Sequence, residues 1–470
     1  MQLGLIGLGT MGANLARNAA RNGADVFVFN RTSEKTDAFI KDYAKEGSLE
    51  AVYSLAGLCK TLKSPRVIIL MVKAGDAVNA CISEVLPHLS KGDILIDGGN
   101  SHYRHTERRQ EELEQKGIHL LGMGISGGEV GALEGPSMMP GGDKSAYEKI
   151  EPLFIKMAAD DGSASLTTGG AGGKCFTYVG PGGSGHYVKM VHNGIEYGIM
   201  QLIAEAYHVL KVEGGLSNED LGKIFAEWSA SDDLRSFLME ITAKVFKKKE
   251  SGKFVLDQIK DAAGQKGTGK WTTDAAMEYG VAVPTITAAV DARIMSSTKE
   301  FRVMRSGIAP VSVEEDSLPK EVLPDIVRSA LELSIINTYA QGMQMLSVAN
   351  AKEDWQMQTS EVARIWRGGC IIRSAILEHY QKAFEGDKAA SEHLRERCSG
   401  DRQLEWRHVV ALGAERGIPL PAMSASLSYY DSYRSAWLPQ NLVQAQRDFF
   451  GAHGYEKLDE EGNFHTNWNL

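Results

Sequence analysis

The first thirty residues carry the feature that most constrains the fold. Residues 3–6 are apolar and predict a short buried strand, and Gly7-Leu8-Gly9-Thr10-Met11-Gly12 follows them directly. A helical pattern over 11–22 then leads to a second predicted strand at 25–29. In this order the glycines permit a tight turn, a close approach to a pyrophosphate and close packing of the helix on the strand. The sequence therefore predicts an α/β Rossmann-type N-terminal domain with a dinucleotide at the glycine loop.

The end of the second strand indicates which dinucleotide binds. An acidic residue at this point would accept a hydrogen bond from the ribose 2′-hydroxyl of NAD. The strand instead runs into Asn30-Arg31-Thr32. This segment has no carboxylate to repel a 2′-phosphate, and a guanidinium can pair with one. We predict NADP as the cofactor, with an ordinary surface arginine at Arg31 as the alternative.

Three further strands are predicted at 67–72, 94–97 and 118–123. Ligands of open parallel sheets lie outside the carboxyl ends of the strands. Two of the loops there combine small residues with a single amide or hydroxyl, which suits backbone contact with a polar substrate, although plain turns would look the same. The three loops are Val72-Lys73-Ala74, Asp97-Gly98-Gly99-Asn100-Ser101 and Ile125-Ser126-Gly127-Gly128-Glu129.

Residues 186–203 predict a helix with three distinct faces. Gly194 and Gly198 leave a bare strip where another element can approach the backbone. A helix whose other faces are apolar or glycine is expected to be buried nearly all round. The apolar face holds Val188, Val191, Ile195, Ile199 and Leu202, and the polar face holds Lys189, His192, Asn193, Glu196 and Tyr197.

The polar face of this helix suits acid–base chemistry. Lys189 and Glu196 are seven residues apart, so they point the same way about 10 Å apart along the axis. An acid and a base on either side of one small molecule need such a layout. The alternative is a solvated face, but such faces usually carry several charges spaced for local ion pairs. We predict that this face lines an active site.

Composition excludes several other functions. The chain has 470 residues, which favours two or three domains, and a net charge of −9, which argues against nonspecific nucleic-acid binding. Its 5 cysteines lack zinc-like or CxxC spacing, so we expect free thiols and no metal site. We see neither a leader peptide nor an apolar run of about 20 residues, and we expect a cytoplasmic protein without a membrane span.

Helical patterns dominate after residue 180. They are clearest at 219–228, 233–246, 322–348 and 404–416. We predict a Rossmann-type domain over 1–180, a large all-α domain over 181–440 and a tail over 441–470. Residues 160–174 are rich in glycine and predict a surface insertion.

A glycine-rich stretch at 264–270 nearly matches a phosphate-binding P-loop. Trp271 stands where that motif needs a Ser or Thr for magnesium, so we reject the match. Lys266 nevertheless remains a candidate for an anionic substrate group.

Several motifs together resemble the 6-phosphogluconate dehydrogenase family, and the resemblance runs nearly end to end. They are GPGGSGHYVKMVHNGIEYG, DAAGQKGTGKW, DGGNS, ISGGE, RDFFGAHGYE and FHTNW. The resemblance implies oxidative decarboxylation of 6-phosphogluconate to ribulose 5-phosphate and CO2 with NADP. It also implies a homodimer in which each tail reaches the other subunit. The rival predictions are a related 3-hydroxyacid dehydrogenase and a non-catalytic NADP-binding descendant.

The resemblance also implies roles for individual residues. Lys189 resembles the general base for the 3-hydroxyl, and Glu196 resembles the acid that protonates C1 of the enediol. Substrate contacts are implied for Asn100, Ser126, Gly127, Gly128, His192, Asn193, Tyr197, Lys266, Arg293 and, from the neighbouring subunit, Arg447 and His453. Cofactor contacts are implied for Gly7, Leu8, Gly9, Thr10, Met11, Gly12, Asn30, Arg31, Thr32, Val72, Lys73, Ala74, Asn100 and Glu129.

Overall fold

A seven-stranded sheet organises the N-terminal part of the chain. A computed structural model describes residues 1–162, 173–307, 319 and 321–468. The strands are β1 (Gln2–Ile6), β2 (Asp25–Phe29), β3 (Leu49–Ala51), β4 (Val67–Leu70), β5 (Ile94–Asp97), β6 (His119–Ser126) and β7 (Ser137–Gly142). Their spatial order is β3-β2-β1-β4-β5-β6-β7, with β7 antiparallel to β6 and the other neighbours parallel. The Rossmann-type fold predicted from the glycine loop is confirmed.

Helices cover both faces of this sheet and so bury its central strands on both sides. They are α1 (Thr10–Arg21), α2 (Ser33–Tyr43), α3 (Leu55–Thr61), α4 (Asp76–Val85), α5 (Tyr103–Glu114), α6 (Gly128–Glu134) and α7 (Lys144–Met157). The sequence did not predict β3 or β7. Strand β3 has only three residues, and β7 contains Pro140 and two glycines, which disfavour strands in isolation.

The rest of the chain is mostly helical, as predicted. Its helices are α8 (Ser184–Val212), α9 (Asn218–Ala230), α10 (Phe237–Val245), α11 (Thr268–Tyr279), α12 (Pro284–Ser296), α13 (Lys299–Arg305), α14 (Leu323–Glu353), α15 (Thr359–Ile365), α16 (Ile376–Phe384), α17 (Lys388–Arg397), α18 (Asp401–Arg416), α19 (Pro421–Tyr433) and α20 (Gln440–Gly451). Two short strands, β8 (Lys249–Glu250) and β9 (Lys253–Phe254), form a hairpin. The predicted insertion at 160–174 lies largely outside the described residues.

Helix α8 lies at the centre of the helical part and also contacts the sheet. Its residues from Ser184 to Ile195 are all buried, which confirms the expected burial on all sides. Its first turns press directly on β6 and β7. A Cβ on Gly124 would collide with the Lys189 side chain, and one on Gly185 would collide with the carbonyl oxygen of Gly122. Glycines on both surfaces therefore bring α8 against the strand ends.

The predicted glycine strip of α8 is also confirmed. A Cβ on Gly194 would lie 2.5 Å from Cγ2 of Thr272 in α11, and one on Gly198 would lie 2.6 Å from Cγ2 of Thr338 in α14. Distances this short mean that threonine side chains of α11 and α14 pack against the α8 backbone where α8 itself has no side chain. The strip thus fixes the rotation of α8, and its polar face turns toward the sheet edge.

The C-terminal tail folds upon itself. The Asp448 carboxylate, on α20, accepts hydrogen bonds from the backbone of Gly454 and Thr466 and from the Trp468 indole, and it pairs with the ring of His465, at 2.8 to 3.0 Å. These interactions lower the pKa of Asp448 against the effect of desolvation. Large apolar side chains stay exposed, among them Leu442, Val443, Phe449 and Phe450. The tail has local order but leaves an apolar surface uncovered within this chain.

The cysteines and the helix compositions were also the subject of predictions from the sequence. All five cysteines are buried and free. Across the described residues, none of the helices combines the length and the apolar character that crossing a membrane requires.

Candidate active site

Two cavities adjoin at the carboxyl ends of the parallel strands, where the sheet meets α8. The outer cavity has a volume of about 850 Å³ and follows the glycine loop. The inner cavity has a volume of about 650 Å³ and follows the polar face of α8. Both are lined by Met11, Asn100, Ile125, Gln265 and Lys266. A molecule in one cavity therefore reaches the boundary of the other.

The glycine loop forms one wall of the outer cavity. Gly7 has a φ of 103°, and a Cβ there would collide with the Met71 carbonyl oxygen. Gly9 lines the cavity, and a Cβ on it would meet nothing within 4 Å. Gly7 therefore shapes the turn, whereas Gly9 keeps the backbone open to a ligand. Thr10, Met11, Gly12, Val72, Lys73 and Ala74 line the same cavity.

Asn30 links the glycine loop to the end of β2. Its Oδ1 accepts a hydrogen bond of 3.0 Å from the backbone N–H of Leu8, and its Nδ2 donates one of 3.1 Å to the carbonyl of Thr32. Arg31 follows, exposed to solvent. Within the described residues the Arg31 guanidinium has no ion pair, so its donors are available to a ligand.

Lys189 and Glu196 both line the inner cavity, as their spacing predicted. Only 6% of Lys189 is exposed. Burial lowers its pKa to about 8, although the Glu196 carboxylate opposes the shift. Burial also raises the pKa of Glu196, against the influence of Lys189 and Arg293. The two groups are therefore both displaced toward their neutral forms, which suits proton transfer near neutral pH.

His192 connects this helix face to the sheet. Its Nδ1 lies 3.0 Å from Oδ1 of Asn193, and its Nε2 lies 3.0 Å from Oγ of Ser126. Burial places the pKa of His192 well below its usual value, so the ring is neutral. With the Asn193 oxygen as acceptor, Nδ1 carries the proton and Nε2 accepts the Ser126 hydroxyl. Ser126 is thereby oriented at the cavity wall.

One wall of the inner cavity is cationic. Lys266 and Arg293 line it, and the guanidinium of Arg293 stacks on the Tyr197 ring at 3.4 Å. Helix α11 begins at this wall with Thr268, so its first backbone N–H groups add positive potential. The cavity thus has an acid–base wall and a wall that favours an anionic group.

Nine of the predicted site residues do not line these cavities, namely Gly7, Leu8, Asn30, Arg31, Thr32, Glu129, His192, Arg447 and His453. Arg447 and His453 are exposed on the tail. Gly7 begins the glycine loop and packs against the carbonyl group of Met71. Glu129 is exposed, and its carbonyl accepts a hydrogen bond from Asn14 at 3.0 Å.

Several lining residues were not predicted. Ile371 lines the inner cavity because segment 368–372 passes against the loop after β6, where a Cβ on Gly127 would lie 2.7 Å from the Gly369 carbonyl oxygen. His102, His105 and Trp271 line the outer cavity, with the rings of His102 and Trp271 5.2 Å apart. The paired glycines at 368–369 were the available sequence signal for the first contact. The aromatic contact joins segments that are far apart in the sequence, so no local sequence pattern indicated it.

The described residues contain no group of three or more His, Cys, Asp or Glu side chains suited to a metal ion. The sheet, the open glycine loop and a buried lysine facing the adjoining cavity define the class of dinucleotide-dependent oxidoreductases. Comparisons with known proteins narrow the class. The NAD binding domain of 6-phosphogluconate dehydrogenase matches residues 2–180, and the C-terminal domain of 6-phosphogluconate dehydrogenase matches residues 185–468. The chain belongs to the 6-phosphogluconate dehydrogenase family, which confirms the resemblance predicted from the motifs.

Individual relatives cover the whole chain. It is 51% identical to the decarboxylating 6-phosphogluconate dehydrogenase of Synechococcus elongatus, with 99% of both chains covered. It is 48% identical to the NADP(+)-dependent decarboxylating enzyme of Bacillus subtilis, again over 99% of both. The Plasmodium falciparum 6-phosphogluconate dehydrogenase, solved as the apo form and with NADP+ or 6-phosphogluconate, matches with a TM-score of 0.92, 40% identity and 100% coverage of each chain.

Proposed function

We propose that this protein oxidatively decarboxylates 6-phosphogluconate to ribulose 5-phosphate and CO2, with NADP as the oxidant. The observation that carries the proposal is the inner cavity itself. It brings together a buried lysine with a lowered pKa, a carboxyl group, and the cationic side chains of Lys266 and Arg293. A substrate that offers a hydroxyl to the lysine and a phosphate to the cationic side chains fits this lining.

The outer cavity fits NADP. A ligand phosphate can approach the backbone at Gly9, where the structure leaves space for a close contact. The free guanidinium of Arg31, with Thr32 beside it, would hold the 2′-phosphate, and Lys73 would lie toward the adenine. When bound, NADP accepts the hydride from C3 of the substrate. Met11 and Asn100 lie at the boundary of the two cavities, where that carbon has to sit.

Lys189 supplies the base for the first step. Its amine takes the proton of the 3-hydroxyl, which its lowered pKa permits, and so becomes an ammonium. The ammonium then polarises the new C3 carbonyl, which receives the electrons when the C1–C2 bond breaks and CO2 leaves. Glu196, whose pKa burial raises, is the acid that delivers a proton to C1 of the resulting enediol. Ser126 and Asn193 would hold the sugar hydroxyls, and His192 orients both of them from behind the cavity wall.

One assay tests the proposed reaction. Purified protein is mixed with 6-phosphogluconate and either NADP or NAD, and the absorbance at the reduced-nicotinamide band is followed together with CO2 release. We expect equimolar production of both products with NADP. Oxidation without CO2, or turnover of a small 3-hydroxyacid in place of 6-phosphogluconate, would contradict the proposal.

The role of Arg31 in cofactor choice is tested by Arg31→Ala. Loss of a charge-assisted contact to the 2′-phosphate costs about 1.5–3 kcal/mol, so the dissociation constant of NADP should rise far more than that of NAD. Isothermal calorimetry with each dinucleotide measures both. Arg21→Ala is a control, because Arg21 also lies near the glycine loop in sequence but pairs with Glu46 and Glu134. Equal weakening of both dinucleotides would contradict the assignment.

We further propose a homodimer in which the tail of each subunit completes the partner's site. The exposed apolar residues of the tail, and the absence of Arg447 and His453 from the lining of their own chain's cavities, support this exchange. In a two-fold dimer each tail can reach the other subunit. Arg447 would then bind the substrate phosphate, and His453 a neighbouring oxygen.

Subunit mixing tests the exchange. Lys189→Met and Arg447→Ala chains are inactive on their own in this proposal. In a mixed dimer one site carries both defects and the other carries neither, so random reassociation should restore about a quarter of wild-type activity. A tail that serves its own subunit leaves every site defective, and mixing then restores nothing.

A further inference from the structure

A buried hydrogen-bond network lies behind the boundary of the two cavities. At its centre is Asp97, the last residue of β5, which is fully buried. Its carboxylate accepts hydrogen bonds from the backbone N–H of Gly99 at 3.0 Å and from the hydroxyl of Ser101 at 2.6 Å. These two bonds close the turn that presents Asn100, a residue that lines both cavities.

Arg109 joins this turn to the neighbouring loop. It lies on α5, is only 3% exposed, and places Nη1 3.4 Å from the Asp97 carboxylate. Its Nε donates to Oδ1 of Asn79 at 2.8 Å, and its Nη2 donates to the carbonyl of Gly75 at 3.1 Å. Gly75 belongs to the loop that follows β4, and it lines the outer cavity. One guanidinium therefore fixes two cavity loops relative to each other.

His186 ties the same turn to α8. Its Nε2 lies 3.1 Å from the carbonyl oxygen of Asp97, and its Nδ1 lies 2.6 Å from Oγ1 of Thr106. A carbonyl only accepts, so Nε2 carries the proton. Burial lowers the pKa of His186, which keeps the ring neutral and leaves Nδ1 to accept the Thr106 hydroxyl. His186 precedes Lys189 by one helical turn, on the same helix.

We propose that Arg109 and His186 are positioning residues, which hold the Asp97–Ser101 turn and thereby fix Asn100 relative to Lys189. The proposal rests on the proposed function of the cavities. Neither side chain lines either cavity. Arg109 acts through the two loops of the outer cavity, whereas His186 joins the turn to the helix that carries the base. The two residues should therefore affect different steps.

Paired variants separate positioning from general stability. Arg109→Met should raise the dissociation constant of NADP, measured by calorimetry, and lower kcat/KM by about 10²-fold, the loss that a misplacement of about 1 Å can cause. The control is Arg66→Met. Arg66 pairs at 2.8 Å with the fully buried Asp93, which directly precedes β5, at the opposite end of the strand from Asp97. Neither Arg66 nor Asp93 lines either cavity. The Arg66→Met variant should lose about as much stability as Arg109→Met does, while it keeps the NADP affinity and the turnover of the wild-type protein.

His186 is tested by removing and then restoring its donor. His186→Leu should lower kcat about 10²-fold with a smaller change in NADP affinity, because the link to the Lys189 helix is lost. His186→Gln should recover much of that loss, since its amide nitrogen can reach the Asp97 carbonyl. Nitrogen-15 NMR of the wild-type protein should show the proton of His186 on Nε2, which requires no variant to fold.

Three results would overturn the proposal. One is an Arg109→Met variant whose NADP affinity and kcat/KM match those of Arg66→Met. Another is a His186→Gln variant as slow as His186→Leu in a protein of unchanged unfolding free energy. The last is a proton on Nδ1 of His186. A wild-type protein that binds NADP but does not turn over 6-phosphogluconate would instead contradict the proposed function.

Discussion

Helix α8 buries an ionisable group in each half, and the two groups have opposite surroundings. Lys189, in the first half, faces the inner cavity, and its Nζ has one long contact, 3.5 Å from Nδ1 of His192. Glu205, in the second half, is 1% exposed and sits at the start of α19. There its carboxylate accepts the backbone N–H groups of Ala422 and Met423 at 2.8 Å each, and the amide of Gln201 at 2.9 Å.

Burial moves both groups toward their neutral forms. It lowers the pKa of Lys189 to about 8 and raises that of Glu205 to about 7, although three hydrogen bonds oppose the second shift. The shifts alone do not separate function from structure. The hydrogen-bond partners distinguish the two roles. Protein donors occupy the Glu205 carboxylate, whereas the amine of Lys189 is left to bind a ligand. Titration of Lys189 should therefore be visible in turnover, and titration of Glu205 in stability.

The largest expected effect comes from Lys189→Met. General base catalysis contributes about 10²–10⁴-fold, so kcat should fall at least that far while NADP binding is kept. Lys211→Met is a matched control at the other end of α8, where Lys211 makes surface contacts with Asn218 and Asp257. Steady-state kinetics and calorimetry measure both variants. Near-normal turnover of Lys189→Met would remove the proposed base from the mechanism.

The pH dependence of turnover comes next. The neutral amine of Lys189 is the active form, so kcat/KM should fall as pH drops below the pKa of about 8. Between pH 8 and pH 6 the neutral fraction drops about 50-fold, and kcat/KM should drop with it. Initial rates in buffers of constant ionic strength test this. A flat profile over that interval would show that a proton on Lys189 does not control the reaction.

The smallest effect concerns Glu205 and folding. A carboxyl whose folded pKa of about 7 exceeds its unfolded value of 4.5 stabilises the fold at low pH, and that stability is lost as pH rises through this window. Between pH 5 and pH 7 the loss should be about 2 kcal/mol in the free energy of unfolding. Glu205→Gln should lack this contribution, which urea unfolding at several pH values can measure.

Two further observations complete the Glu205 experiment. Glu213→Gln is a control just beyond the end of α8, where Glu213 lies 3.6 Å from Arg416. It should keep the wild-type pH dependence of unfolding. The folded Glu205→Gln protein should also keep wild-type kcat/KM, and a large loss of turnover would show that the two halves of α8 are not distinct in role.

The sequence predicted the parts of the fold that local patterns encode. The glycine loop, β2, β5 and the three faces of α8 depend on spacing within short segments, and the structure bears them out. The antiparallel strand β7 could not be predicted, because its sequence, Ser-Met-Met-Pro-Gly-Gly, is held in place by pairing with β6 rather than by strand propensity. A tertiary contact decided that element.

The residues of the site also divide into those that a local sequence pattern predicts and those that only tertiary contacts bring together. Lys189 and Glu196 were predicted from their spacing on one helix, whereas Ile371 and Trp271 reach the cavities from segments far away in sequence. Arg109 and His186 were also missed as site-shaping residues. Their partners, Asp97, Asn79 and Thr106, come from three separate elements, so no spacing along the chain reveals them.

The glycine contact between α8 and the sheet has a consequence for motion. Where Gly124 and Gly185 meet, backbone and Cβ atoms touch directly, and no long side chain can change rotamer to let the surfaces slide. The sheet edge and the first turns of α8 should therefore move as one rigid body, without a hinge between them. Opening of the inner cavity then depends on other walls. The exposed segment 259–266, which brings Gln265 and Lys266 to both cavities, is one of these walls.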